Sequence, residues 1–252
     1  MKTSGLITRR AAIITGFAAV GGFVLARHPT ELPPTYGNLL RMGDTLTYAA
    51  HRTLLPGQSL VKEYRASDIT SFPATGTTDP GAGDKSELGG TYRRLEKGSF
   101  RDWQLSVEGR VQRPRAFTLH DLQRLPSRTQ VTRHTCEEGW TAIGQWTGVP
   151  LSAVLDAAGI QPTARFVVFY SFDDWVDCID LLDALHPQTI LAYGMNGRAL
   201  PIAHGAPVRL RVERQMGYKS MKYLRRIVVS DEFDDGGMKG NIRNGWAWYT
   251  GI

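Results

Sequence analysis

Arg133-His134-Thr135-Cys136-Glu137-Glu138-Gly139-Trp140 closes a β-prone run that begins near Arg128, and Gly139 ends it. The stretch predicts a strand that delivers Cys136 into a loop above a sheet. Such loops are where folds present chemistry, because the elements beneath hold them rigidly. Two later blocks point toward the same place: His204-Gly205-Ala206-Pro207-Val208-Arg209 and Gly217-Tyr218-Lys219-Ser220-Met221-Lys222.

Working outward, Trp103, Leu105 and Val107 alternate with polar residues up to Gly109, as in a half-buried strand. Thr118 is placed to cap a short helix that ends near Leu125, before Pro126. Pro150 opens an amphipathic helix with Leu151, Val154, Leu155 and Ala158 on one face and Gly159 at its end. Phe166 to Tyr170 reads as a buried strand, Ile179 to Leu185 as a short helical turn. Asn196-Gly197 is a strong hairpin signal between Ile190–Met195 and Arg198–Ile202. Val208 to Val212 and Leu224 to Val229 supply the last strands. Strands mixed with short helices in no strict alternation predict an α+β fold with one main domain over residues 61–252. Residues 28–60, rich in Pro, Gly and polar groups, read as an extended arm, and 81–90 as a glycine-rich loop.

The bulk properties bound the function. The chain has 252 residues, 42% of them hydrophobic and 21% charged, enough for one sizeable globular core. A net charge of +6 suits an anionic ligand or a membrane surface. Lys and Arg are scattered and no basic block is interleaved with aromatics, which argues against nucleic acid. Thr8-Arg9-Arg10 precedes an uncharged run from Ala11 to Ala26. Residues 1–27 therefore read as a twin-arginine signal, with export favoured over a tilted, uncleaved membrane anchor.

There are two cysteines, Cys136 and Cys178. In an exported protein they could form one disulfide, which is the plain structural reading. Cys136 has two functional readings: a nucleophile served by His134 or His204, or a thiolate ligand to a metal. Glu137 and Glu138 favour the second, since adjacent negative charge raises a thiol's pKa whereas a metal strips the proton outright. No CxxC, HExxH or pair of histidines at helical spacing offers a second protein ligand, so the rest of the coordination falls to a cofactor. His204, Arg209, Lys219 and Lys222 suit a polyanion such as a phosphate, and the loop 217–222 adds backbone N–H donors.

These residues resemble the sulfite oxidase superfamily of molybdopterin enzymes, and within it the short bacterial branch that includes periplasmic methionine sulfoxide reductases. The resemblance runs from about Trp103 to Asp231, more weakly through Phe72–Pro80 and the tail. It is carried by Cys136 followed by Glu138-Gly139-Trp140, by Trp146-Thr147-Gly148-Val149-Pro150-Leu151, and by the two later blocks. It implies a mixed α+β molybdopterin-binding domain in which Cys136 is the catalytic residue that completes the ligation of molybdenum by a single pterin. It places His204, Arg209, Ser220, Met221 and Lys222 at the pterin phosphate. It places Phe72, Thr75 and Ser171 at further cofactor contacts, although Thr75 departs from the Asn or His usual there.

Sulfite oxidases carry arginines soon after the cysteine to bind their anion, and here those positions are Gly139, Trp140 and Thr141. The implied activity is oxygen-atom transfer from a small neutral S-oxide or N-oxide, with sulfite-type oxidation as the alternative. Trp140 and Trp146 are candidates to line such a pocket. No haem-attachment CxxCH occurs, so electrons are expected from a separate membrane haem or quinol partner. A periplasmic cysteine hydrolase or transpeptidase is the competing class, with a non-catalytic, disulfide-bonded binding domain behind it.

Overall fold

The computed structural model describes residues 39–55, 57, 59–82, 86–234, 236–241 and 245–252. The expected leader, residues 1–27, and the start of the expected arm lie outside the described residues. The chain divides into two compact units, residues 1–56 and 57–252. In the first, Leu39–Leu54 form a helix of 16 residues, α1. This corrects the expectation of an extended arm over 28–60. The helix breakers cluster at Pro29, Pro33, Pro34 and Gly37 and again at Pro56 and Gly57, leaving only Gly43 between them. The uninterrupted run of Leu, Ala, Arg and Thr keeps every backbone N–H and is free to coil. Among the described residues no helix is long and apolar enough to cross a membrane.

Residues 57–252 fold as α+β around two five-stranded sheets. The first has the order β2 (Arg115–Thr118), β1 (Gln104–Gly109), β10 (Leu224–Ser230), β5 (Phe166–Ser171), β6 (Val176–Asp180). Its β1–β10 pair is parallel and the others antiparallel. The second has the order β3 (Arg128–Thr135), β4 (Thr141–Pro150), β7 (Ile190–Met195), β8 (Arg198–Ala199), with β9 (Arg209–Arg211) also paired to β7. Asn196 and Gly197 join β7 to β8 with φ of 50° and 75°. Positive φ at both central residues is the hairpin geometry that an Asn-Gly pair favours.

The short helices obey their local signals. Helix α3 (Leu119–Arg124) starts with Thr118 and Asp121 capping each other's backbone N–H groups. Helix α4 (Leu151–Ala158) buries Leu151, Val154, Leu155 and Ala158 in the main core, which also holds Leu105, Val107, Phe169 and Ile227 of the first sheet. Each large apolar side chain so buried contributes roughly 1.5–3 kcal/mol. Helix α5 (Leu181–Ala184) is shorter than expected, because Ile179 and Asp180 stay in β6 and the Asp180 side chain caps the turn.

A second helix departs from the sequence reading. Glu87–Lys97 form α2, capped by Ser86, although Gly89 and Gly90 had suggested a loop. Each glycine costs a helix about 1 kcal/mol. Tyr92 offsets this: it is fully buried against Phe100, Phe172 and Tyr223, and its hydroxyl donates to Ala206 O (2.8 Å).

The strand that matters most for function is β3. Gln130, Thr132 and His134 alternate on its buried face, and Cys136 continues that face just past its end. A strand normally turns apolar residues inward, whereas this one turns a polar row inward, toward the second sheet's charged residues.

Candidate active site

Past β3 the chain makes a tight turn. Cys136 N donates to Trp140 O (2.9 Å) and Gly139 N to Cys136 O (3.1 Å), which fixes the thiol at the wall of a cleft of about 210 Å³. Cys136 is 4% exposed, and Glu137 Oε2 lies 3.5 Å from its Sγ. Burial pushes the thiol up to about 11, opposed by the Glu138 backbone N–H and reinforced by the Glu137 carboxylate. Unassisted, it is a protonated thiol at neutral pH and a poor nucleophile.

Cationic side chains line the same cleft. Arg209, at the start of β9, donates through Nη1 to His204 O (3.0 Å) and through Nη2 to Ser220 O (2.6 Å). Its Nε is buried and has no partner, and no carboxylate pairs with the guanidinium among the described residues. Burial, then the neighbouring Arg211, pushes it down to about 9, still charged at neutral pH. Burial and the charges of Arg209 and Lys222 push His204 down to about 4, so it faces the cleft as neutral imidazole. The backbone N–H groups of Met221 and Lys222 donate to no acceptor among the described residues.

Lys222 works differently from a free point charge. Its three donors are spent on Thr75 O (2.8 Å), Ala203 O (3.1 Å) and Thr77 O. It ties the segment 75–77 to the rest of the cleft while adding its charge to the field. Burial and Arg209 push its amine down to about 8. Phe72 anchors the same segment as an aromatic hub, with ring centroids 5.2–5.8 Å from His134, Trp140, Trp146 and His204.

Phe72, Thr75, Cys136, His204, Arg209, Ser220, Met221 and Lys222 thus all line one cleft. Ser171 does not. Its hydroxyl closes the 171–175 turn through Asp173 and Trp175, and those two reach the cleft in its place. Lys219 is also corrected as an anion ligand, because its buried Nζ is consumed by Asp177 Oδ1 (2.6 Å) and Cys178 O (2.9 Å). Trp140 lines the cleft, held by Glu138 Oε2 (3.0 Å). Trp146 instead lies fully buried beneath Arg209 and Arg211, whose guanidinium carbons sit 5.1 and 4.4 Å from its ring centroid. Asp173, Trp175, Asn241 and Trp246 complete the mouth, brought there from distant loops, and no spacing in the sequence flags them.

Both cysteines are free, and Cys178 is buried in β6 of the other sheet, which removes the disulfide alternative. The hydrolase alternative loses both candidate bases, since His204 is already pushed down to about 4. His134 is pushed down to about 2 by burial and by Arg211 and Arg209, and its Nδ1 accepts from Arg211 Nη1 (2.8 Å).

The arrangement fits a metal-bearing anion. Among the described residues no three His, Cys, Asp or Glu side chains gather to hold a metal, so one soft donor, Cys136, faces partners that must come from the ligand itself. The unpartnered Arg209 Nε and the two free backbone N–H groups are donors awaiting an acceptor.

Comparison with known proteins agrees with this chemistry. Residues 93–238 match the family described as "Oxidoreductase molybdopterin binding domain". The chain is 40% identical over 159 residues to "Putative protein-methionine-sulfoxide reductase subunit YedZ1" of Azospira oryzae, covering 63% of this chain and 58% of that one. It is 30% identical over 166 residues to "Protein-methionine-sulfoxide reductase catalytic subunit MsrP" of Ralstonia nicotianae, covering 60% and 50%. The aligned region thus spans little more than half the length of these relatives. The crystal structure of the sulfane dehydrogenase SoxCD from Paracoccus pantotrophus superposes with a TM-score of 0.50 at 26% identity, covering 52% of this chain and 39% of that one.

Proposed function

The chain belongs to the oxidoreductase molybdopterin-binding domain family, and from that premise we propose that it transfers oxygen atoms, reducing a small S-oxide or N-oxide. One observation carries the reading: Cys136 and a buried Arg209, which no carboxylate neutralises among the described residues and whose Nε has no partner, line a single cleft. Arg209, His204 and the Met221 and Lys222 backbone N–H groups would hold the pterin phosphate, and Cys136 would bind molybdenum through its sulfur. When bound, the group supplies two-electron oxygen-atom chemistry at the metal.

The protein's own residues set access and selection. Glu137 is half-buried and Glu138 exposed at the mouth beside Cys136. An anion such as sulfite approaching within about 6 Å of either carboxylate is repelled by roughly 1–3 kcal/mol. A neutral oxide meets no such barrier and finds Trp140 and Trp175 to pack against. Reduction also consumes two electrons and two protons per oxygen released as water. We assign the electrons to a membrane haem or quinol partner. Export by the twin-arginine route, with the cofactor loaded beforehand, follows from Thr8-Arg9-Arg10 and the apolar run after it.

Elemental analysis of the purified protein tests the cofactor, with near-stoichiometric molybdenum expected. Assays with reduced viologen dyes across sulfoxides, N-oxides and sulfite test the substrate. Cys136→Ser is expected to abolish oxygen-atom transfer with the fold intact. Full turnover by that variant, or a metal-free protein with a reactive thiol, refutes the proposal.

A further inference from the structure

We propose that His134 is a hydrogen-bond donor aimed into the cleft, its Nε2–H recognising a lone pair on the group bound at Cys136 or on the oxygen of the substrate. The inference rests on the cofactor reading above and adds to it a residue that acts beside the metal ligand.

The argument begins with Arg211. A guanidinium only donates, so the contact between Arg211 Nη1 and His134 Nδ1 (2.8 Å) requires a bare lone pair on Nδ1 and places the imidazole proton on Nε2. Arg211 has no freedom to reverse this. Its Nε and Nη2 donate to both carboxylate oxygens of Glu213 (2.9 and 2.8 Å), and both side chains are at most 1% exposed. Glu213 Oε1 also accepts from Gln130 Nε2 (3.0 Å), two positions further along the same strand face. Trp146 covers the guanidinium from the side.

The ring is fixed as well as the proton. Phe72 and Trp140 flank it, with centroids 5.2 and 5.4 Å away. Gly217 lies against its Nε2–Cε1 side, where an added Cβ would come within 2.3 Å of Nε2 and 2.4 Å of Cε1. No larger residue fits at 217 without expelling the imidazole. His134 is only 7% exposed, yet it lines the cleft, and Nε2 has no partner among the described residues. In an extended chain positions 134 and 136 project to the same side. A group on the Cys136 sulfur therefore sits alongside this donor, which is open to the cleft and can donate to it.

The test uses the molybdenum-loaded protein. Long-range proton–nitrogen correlation on 15N-labelled protein is expected to show His134 protonated at Nε2 alone. His134→Leu removes the donor, whereas His134→Gln carries an N–H to about the same place. If the acceptor belongs to the cofactor, His134→Leu lowers molybdenum per polypeptide after dialysis by about tenfold, and His134→Gln restores most of it. If the acceptor is the substrate oxygen, molybdenum content holds and kcat/KM falls by about tenfold, again restored by Gln. Gly217→Ala reproduces the loss with His134 still present. A proton on Nδ1, or equal behaviour of the Leu and Gln variants in both measurements, overturns the inference. A wild-type protein without molybdenum sinks the cofactor reading itself, a separate and distinguishable failure.

Discussion

Arg209→Met is expected to act with opposite signs on the empty and the loaded protein. In the empty cleft the guanidinium is held down from its usual 12.5 to about 9 by burial and Arg211. At about 1.4 kcal/mol per pH unit this corresponds to a cost on the order of 5 kcal/mol for keeping the charge there at neutral pH. Methionine removes that cost and fills a similar volume. It also removes two hydrogen bonds, to His204 O and Ser220 O, and the contact with Trp146, together worth roughly 4–7 kcal/mol. The two sides nearly cancel, so protein made without molybdate should unfold in urea within about 2 kcal/mol of wild type. The loaded protein should behave otherwise. There the variant lacks a charge-assisted bond of about 1.5–3 kcal/mol to the anion, and should retain the cofactor some 10- to 100-fold less tightly. Urea melts of the empty protein and molybdenum content after dialysis of the loaded one read the two effects separately. A variant that is much less stable empty and binds as tightly as wild type would make Arg209 a strut for the 204–220 loops, and the anion-site argument would be wrong.

Further outcomes follow from the same geometry. Lys222 has its folded pKa lowered to about 8 from 10.5, so between those values the unfolded chain holds more protons and folding gains from rising pH. Cofactor-free wild type should therefore gain stability relative to Lys222→Met between pH 8 and 10, and cofactor affinity should weaken above pH 8; parallel melting curves for the two proteins would contradict this. Glu138→Arg should replace repulsion by attraction at the mouth and improve sulfite binding about tenfold or more, read as competitive inhibition in the viologen assay. Leu155→Ala opens a void in the main core and should cost about 2–5 kcal/mol in urea denaturation, with cofactor content per folded molecule unchanged.

Much of this protein is legible wherever a local rule and the tertiary environment agree. Helix α4 follows from an apolar stripe after Pro150, α3 from a capping pair, and the β7–β8 turn from Asn-Gly, because each signal lies within a few residues of the element it specifies. The strand-end position of Cys136 belongs to the same class. Helix α2 was hidden, since its two glycines argue for a loop and only the burial of Tyr92 by distant Phe172 and Tyr223 reverses that. Lys219 and Lys222 look equivalent in Gly-Tyr-Lys-Ser-Met-Lys. One spends its charge on Asp177 of β6 and the other on carbonyls of Thr75, Thr77 and Ala203 at the cleft, partners that lie far away along the chain.

By itself, then, the amino-acid order determined most of the strands and the locally capped short helices, where the thiol stands, and that basic groups cluster in two later blocks. Those are consequences of periodicity, capping and charge, all read within a dozen residues. The three-dimensional fold alone decided which basic groups are left with unspent donors, which aromatic lies under the floor and which lines the mouth, and which proton His134 carries. Hydrogen bonds saturate, and whether Arg209 or Lys222 has a donor to spare depends on carbonyls contributed by strands and loops far away along the chain.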